Sequence, residues 1–133
     1  MKLLIDTNVF LEILLQQEKT EEARKLLSMV EKHEFYVTDF SFHSIGVLLF
    51  RRSQHQIFRK FVNEMILEMG VTLMVPTLEE MDAITNIAEE FKLDFDDAYQ
   101  YACAKKYGLT IVSFDSDFDR TRLGRKSPVE ILS

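Results

Sequence analysis

At 133 residues the chain has the length of one domain, and 1–133 reads as a single unit. Its residues are 47% hydrophobic, enough for a sizeable core, which excludes a disordered chain. The formal net charge of −6 argues against a protein that coats nucleic acid without specificity, because such proteins carry a basic surface. It leaves room for a nucleic-acid enzyme, since carboxylates packed round a cation count as negative until the ion is bound.

In chain order, "KLLI" from Lys2 reads as a first strand and Val9 to Gln17 as a short helix. A second helix begins near Thr20, with Ala23, Leu26, Leu27 and Val30 spaced as one helical face. "EFYVT" (34–38) is the second strand. Phe40 to Arg52 and Gln54 to Met69 read as helices, and Phe58, Phe61, Val62, Met65 and Met69 share a face. That face suits a core, with a protein interface as the other reading. Gly70 ends the helix and "VTLMV" (71–75) follows as the third strand. Thr77 and Glu80 form a capping-box pattern before a helix carrying Ile84, Ile87, Ala88 and Phe91. Another helix runs from about Phe95 to Tyr107 and stops at Gly108; "LTIVSF" (109–114) is the fourth strand and "VEIL" (129–132) a fifth. The strands are short continuous apolar runs alternating with helices. That pattern implies a three-layer α/β/α domain with a central, mostly parallel sheet of four to five strands.

No apolar run approaches the roughly 18 to 20 residues that span a bilayer. The N-terminus has one lysine and a short apolar run broken by Asp6, so it does not read as a signal peptide. The single cysteine, Cys103, reads as a small buried hydrophobe and points to a reducing, cytoplasmic setting.

Charge is unevenly spread. Glu79 to Asp97 holds eight acidic residues and one lysine, whereas Arg120 to Lys126 holds four basic residues and no acid. In open α/β sheets ligands bind outside the carboxyl ends of the strands. Asp6 stands at that end of the first strand and Asp115 at that end of the fourth. Asp97 lies in the first turn of the helix leading into the fourth strand. Such a helix is expected to start at the opposite edge, so Asp97 would reach the site only through tilt or unusual packing. Each aspartate also has a structural explanation, as a helix cap, a first-turn acid favoured by the helix dipole or a turn residue. Capping alone, however, does not require charge directly after two core strands. Converging carboxylates repel one another and call for a cation. The three histidines (His33, His43, His55) lack zinc-ligand spacing, and oxygen ligands suit Mg²⁺ or Mn²⁺. Such an ion binds phosphate oxygens and activates water, which makes phosphodiester hydrolysis the natural chemistry.

"LIDTNVF" near the N-terminus and "DFDDAYQYACAKKYGLTIVSFDSDF" near the C-terminus, in a chain of this length, resemble PIN-domain nucleases. Many of these are the toxin ribonucleases of VapBC-type toxin–antitoxin pairs. The resemblance implies that Asp6, Asp97 and Asp115 form the catalytic, metal-binding cluster. It also implies that Asn8 holds Asp6, that Ser113 orients Asp115 or a metal water, and that Asp117 is a companion acid. It resolves the placement of Asp97 in favour of the site. One departure stands out: the family carries a glutamate in the helix after the second strand, and here no acid occurs between Phe40 and Asn63. The position falls near Ser44 to Gly46. Gly46 costs a helix about 1 kcal/mol against alanine, so close helix–sheet packing or room at the site is its expected reason. Asp39 and His43 are poor substitutes.

These readings imply a metal-dependent endoribonuclease with an RNA substrate, an antitoxin partner and homodimerisation. Arg120, Arg122, Arg125 and Lys126 either steer nucleic acid or form a solvated loop. The alternatives are a weak or inactive module of the same fold that binds RNA or protein, and a receiver-like phosphoryl-transfer domain. The last lacks a phosphoacceptor at the end of its middle strand, "MVPT".

Overall fold

A computed structural model describes residues 1–133. Four parallel strands form one sheet in the order β3-β2-β1-β4, with β1 at Lys2–Ile5, β2 at Glu34–Thr38, β3 at Thr72–Met74 and β4 at Thr110–Val112. β1 pairs with both neighbours, Leu4 facing Tyr36 on one side and Ile111 on the other. Leu3, Leu4 and Ile5 are wholly buried, which is why β1 reads as an unbroken apolar run and not as an alternation.

Alternate side chains of the strands enter two separate cores. Leu3, Ile5, Phe35, Val37 and Val112 pack on one face. They meet α1 (Thr7–Leu14), α2 (Thr20–Leu27), α3 (Asp39–Arg51) and α4 (His55–Lys60). Leu4 and Ile111 pack on the other face, beneath α5 (Leu78–Phe91), α6 (Phe95–Tyr107) and Phe118 of a 3-10 turn at Ser116–Arg120. The result is the three-layer α/β/α fold that the alternation of elements implies. No helix is long and apolar enough to cross a membrane.

The helix expected over Gln54 to Met69 divides. After α4 it widens into a π-helix at Phe61–Glu68, and Gly70, at φ +69°, closes it. Phe58, Phe61, Val62, Met65 and Met69 all pack against the first core.

The expected fifth strand is a helix. "PVEIL" forms α7 (Pro128–Leu132), because Ser127 and Glu130 make a reciprocal capping box and Pro128 occupies the first turn. The sheet edge beside β4 carries only one bridge, between Val112 and Lys126, closed by Lys126 N–H to Ile111 O at 2.9 Å and Ser113 N–H to Lys126 O at 3.0 Å.

Gly46 does not pack against the sheet, as its expected reason had it. A Cβ there would meet the Phe58 ring at 3.2 Å, so the residue is small to admit the next helix. Phe58 in turn lies edge-on to Phe42 and Phe50, with centroids at 5.9 and 5.4 Å.

Candidate active site

The pairing of β1 with β4 sets the site. Ile5 faces Val112, and the Asp6 N–H continues the ladder to Val112 O at 3.0 Å. Asp6 therefore leaves the sheet beside Ser113, at the carboxyl edge, and caps α1 by accepting from Thr7 N–H at 2.7 Å. The apolar run ends in a charge because this residue is both the cap of α1 and one wall of a cleft.

Asp6 is buried and densely bonded. Its Oδ1 accepts from Gln100 Nε2 at 2.8 Å, and its Oδ2 accepts from Ser113 Oγ at 2.7 Å and Asn8 Nδ2 at 3.3 Å. Asn8 ties the start of α1 to the end of β4, since its Nδ2 also donates to Ser113 Oγ at 3.2 Å and its Oδ1 accepts from Phe114 N–H at 3.2 Å. Ser113 Oγ accepts in addition from Asp115 N–H at 2.9 Å, and Asp115 caps the 3-10 turn by accepting from Asp117 N–H at 2.8 Å.

Asp97 stands at the same edge as Asp6 and Asp115, and the three line one cleft of about 260 Å³ with Asn8, Ser44 and Asp96. The expectation that its helix starts at the opposite edge is corrected by the direction of the chain. α6 ends at Gly108 (φ +67°) and feeds the amino end of β4, so running antiparallel to that strand it begins at the carboxyl edge. α5 lies antiparallel beside it, with the Tyr107 hydroxyl at the end of α6 donating to Glu80 at the start of α5 at 2.8 Å.

Three carboxylates crowd most closely. One oxygen each from Asp97, Asp115 and Asp117 lie within 4.8 Å of one another. Asp6 lines the same cleft but lies outside that trio, its oxygens taken up by hydrogen bonds. Burial is the main cause that holds the Asp6 carboxyl above its ordinary range; bonds from Ser113, Thr7 and Gln100 draw it back, and Asp115 adds repulsion. Asp97 is pushed up to about 8, first by burial, then by the charge and contact of Asp115 and the charges of Asp96 and Asp6. Repulsion of this kind disappears when a cation sits among the oxygens. The donors are all hard oxygens, with no cysteine or histidine in the trio, which is the donor chemistry of a hard divalent cation.

Ser44 lines the cleft where the family glutamate is expected, so α3 brings a hydroxyl and no charge. Asp39 is engaged elsewhere, accepting from Phe40 N–H at 2.9 Å and from the Tyr99 hydroxyl at 2.7 Å. His43 stacks edge-on beside Phe42. Of the basic segment, Arg120 pairs with Asp117 at 3.0 Å and Arg122 with Glu90 at 3.3 Å. Arg125 grips Asp119 with two nitrogens and donates to Ser113 O at 3.0 Å.

Sequence reasoning overlooks Gln100. It is 2% exposed, and beyond Asp6 its Nε2 donates to Ser41 Oγ at 2.7 Å while its Oε1 accepts from Thr38 Oγ1 at 3.1 Å. Ser41 Oγ also accepts from Thr7 Oγ1 at 2.8 Å. The one available signal is the spacing from Asp97 to Gln100, which puts both on one helical face.

Residues 3–123 match the family model of the PIN domain. No curated protein sequence matches the chain. Solved structures share its fold. VapBC2 from Rickettsia felis, bound to a DNA fragment from its promoter, aligns with TM-score 0.75 at 9% identity over 96% of this chain and 98% of that one. VapC20 of Mycobacterium tuberculosis, a Sarcin-Ricin loop cleaving toxin, aligns with TM-score 0.70 at 18% identity over 88% and 92% of the two chains. FitAcB from Neisseria gonorrhoeae aligns with TM-score 0.67 at 22% identity over 96% and 98%. Identities this low speak for the fold, and the family match spans nearly the whole length, from the first strand through the acids of α6 and β4: the chain belongs to the PIN domain family.

Proposed function

We propose that the protein is a metal-dependent endoribonuclease, its 133 residues one catalytic domain, acting as the toxin of a VapBC-type pair in the cytoplasm. The observation that carries this reading is the gathering of Asp97, Asp115 and Asp117 within 4.8 Å, beside buried Asp6, in one cleft. The likeness to VapC20, which cleaves the Sarcin-Ricin loop, supports RNA as the substrate. Toxin–antitoxin complexes among the structural neighbours support an antitoxin partner. A homodimer belongs to the same reading.

Asp97 and Asp115 would hold Mg²⁺ or Mn²⁺, with Asp6 reached directly or through water and Asp117 as a companion. When bound, such an ion lowers the pKa of a water and draws off charge from a phosphate oxygen. The chain's own part is orientation. Ser113 and Gln100 fix both oxygens of Asp6, and Ser113 also fixes the backbone of Asp115. Burial of Asp6 and Asp97 lowers the local dielectric around those two carboxylates, which strengthens their pull on a cation.

The test is cleavage of a labelled single-stranded RNA in Mn²⁺ by the parent, Asp97→Asn and Asp115→Asn. Loss of a direct ligand should cost at least the about 100-fold that outer-shell losses reach. Equal cutting by the variants would remove both residues from the site. Ser44 in place of the family acid favours one second reading, a module that binds RNA or protein without cutting it. That reading predicts no rise in melting temperature with Mn²⁺, whereas a working site raises it.

A further inference from the structure

Phe95 opens α6, two residues before Asp97, yet it is 59% exposed. Its ring is not loose. It lies 5.9 Å from the Phe40 ring and 5.7 Å from the Tyr99 ring, centroid to centroid, and Phe40 and Tyr99 are 5.6 Å apart. Phe40 lines the acidic cleft, and Tyr99 is anchored from beneath by its hydrogen bond to Asp39. Three interlocked rings thus form a rigid corner at the rim of the cleft, with one ring bare to solvent. A large aromatic surface held in water forfeits its transfer energy until something covers it. Because the ring is already fixed, covering it costs little ordering entropy.

The cleft limits what can cover it. Its walls carry Asp6, Asp96, Asp97 and Asp115 and only two apolar side chains, Leu11 and Phe40, so it suits a hydrated ion with a phosphate group and offers an attached base little to stack on. The nearest apolar surface for the base is at the rim. Charge does not offer an easy grip there, since Asp94 and Asp96 flank Phe95 with Asp97 next in line, and Arg120 and Arg125 are already paired with Asp117 and Asp119. An uncharged contact suits a polyanion at such a rim.

We propose that Phe95, backed by Phe40 and Tyr99, is a stacking platform for a nucleobase next to the phosphate in the cleft. The assignment rests on the nuclease reading above and deepens it, because it names the side chain that grips the substrate beside the cleft and requires an unpaired base there. A base inside a duplex has no free face to offer.

The chain contains no tryptophan, so Phe95→Trp places a lone indole on the platform, excited selectively over the four tyrosines. The probe is a short mixed-sequence single-stranded RNA, with Ca²⁺ replacing Mn²⁺ to hold off cleavage. Its addition should quench the introduced indole, and the same RNA annealed to its complement, or an abasic strand, should not. Phe95→Ala should weaken RNA binding on the order of ten-fold, through KM and not kcat, and Phe95→Tyr should restore it. The Mn²⁺-induced shift in melting temperature should match the parent in both variants. If the parent binds and cuts RNA while Phe95→Ala binds it equally well, or the fluorophore ignores it, the platform is refuted and the nuclease reading stands. A ring that serves a protein partner gives that same result. Equal quenching by duplex also refutes it. A parent that neither binds nor cuts RNA overturns both readings.

Discussion

Gln100 offers the sharpest test of how the site is held. Gln100→Leu keeps the volume and removes three hydrogen bonds, to Asp6 at 2.8 Å, to Ser41 at 2.7 Å and from Thr38 at 3.1 Å. The bond to the Asp6 carboxylate is charge-assisted and alone contributes about 1.5–3 kcal/mol. Ser41 and Thr38 each keep one partner, Thr7 Oγ1 and Ser41 N–H respectively, so their added cost is smaller. Burial of the leucine side chain returns part of the loss. The net expectation is a destabilisation of about 2–3 kcal/mol. At about 2.1 cal/mol/K per residue, a chain of 133 residues loses about 3.6 °C per kcal/mol, so the melting temperature should fall by about 7–11 °C. The assay is thermal unfolding followed by circular dichroism at neutral pH in EDTA. Gln100→Glu, which sets a second carboxylate against Asp6, should fall further and recover as the pH is lowered. A Gln100→Leu protein melting within about 2 °C of the parent would falsify the claim that this amide holds Asp6 in place.

Four further outcomes follow from the same geometry. Asp97 is raised from 3.8 to about 8 on folding, so without metal the folded chain holds a proton that the unfolded chain has released across that window. The contribution of Asp97 to metal-free stability is therefore fullest below about 4 and is lost as pH rises from there through about 8, and Asp97→Asn should remove that part of the slope in denaturant titrations. Under the proposed function Mn²⁺ takes the place of that proton, so the stabilisation it gives should grow with pH over the same range, read as the shift in melting temperature. Gly46→Ala should alter stability by less than about 1 kcal/mol, since the helix gain opposes displacement of the Phe58 ring at 3.2 Å, and it should leave the Mn²⁺ response untouched because Gly46 lies off the cleft. Arg125→Ala removes a largely buried guanidinium from Asp119 and from the Ser113 carbonyl; it should cost about 1–2 kcal/mol in denaturant titrations and lower RNA cleavage, whereas Lys126→Ala should leave stability unchanged.

What could be read from the sequence depends on how each element is buried. β1 and β4 are covered on both faces, so their apolar runs announce them, and the residues that follow them fall at one edge by the rule for parallel sheets. "VEIL" shows the limit of that signal: four residues with an apolar majority suit a strand or a helix, and only the Ser127–Glu130 box, the same pattern recognised at Thr77 and Glu80, decides for the helix. α6 hides its role for another reason. It buries Asp97, Ala98, Tyr99, Gln100, Tyr101, Cys103 and Ala104, nearly its whole circumference, so no amphipathic stripe distinguishes Gln100 from a surface glutamine. Gly46 was legible as a residue with a reason, but its partner Phe58 lies on the next helix, and periodicity within one helix does not show which ring enters against it.

The absence of an acid where α3 lines the cleft changes the charge balance of the site rather than emptying it. Asp6 is not a bare charge waiting for an ion, since Thr7, Asn8, Gln100 and Ser113 supply hydrogens to both its oxygens. The unrelieved repulsion sits on Asp97, Asp115 and Asp117, and the Arg120 guanidinium already offsets Asp117. Under the proposed function, one divalent ion then matches what the remaining two carboxylates carry. A second ion would have to draw on Asp96, the further acid lining the cleft, because Ser44, which lines it from α3, has only a hydroxyl to give. The hydrogen-bonded links from Thr38 and Ser41 through Gln100 to Asp6 tie α3 to the site without charge, so the helix that lacks the acid still positions the aspartate that remains.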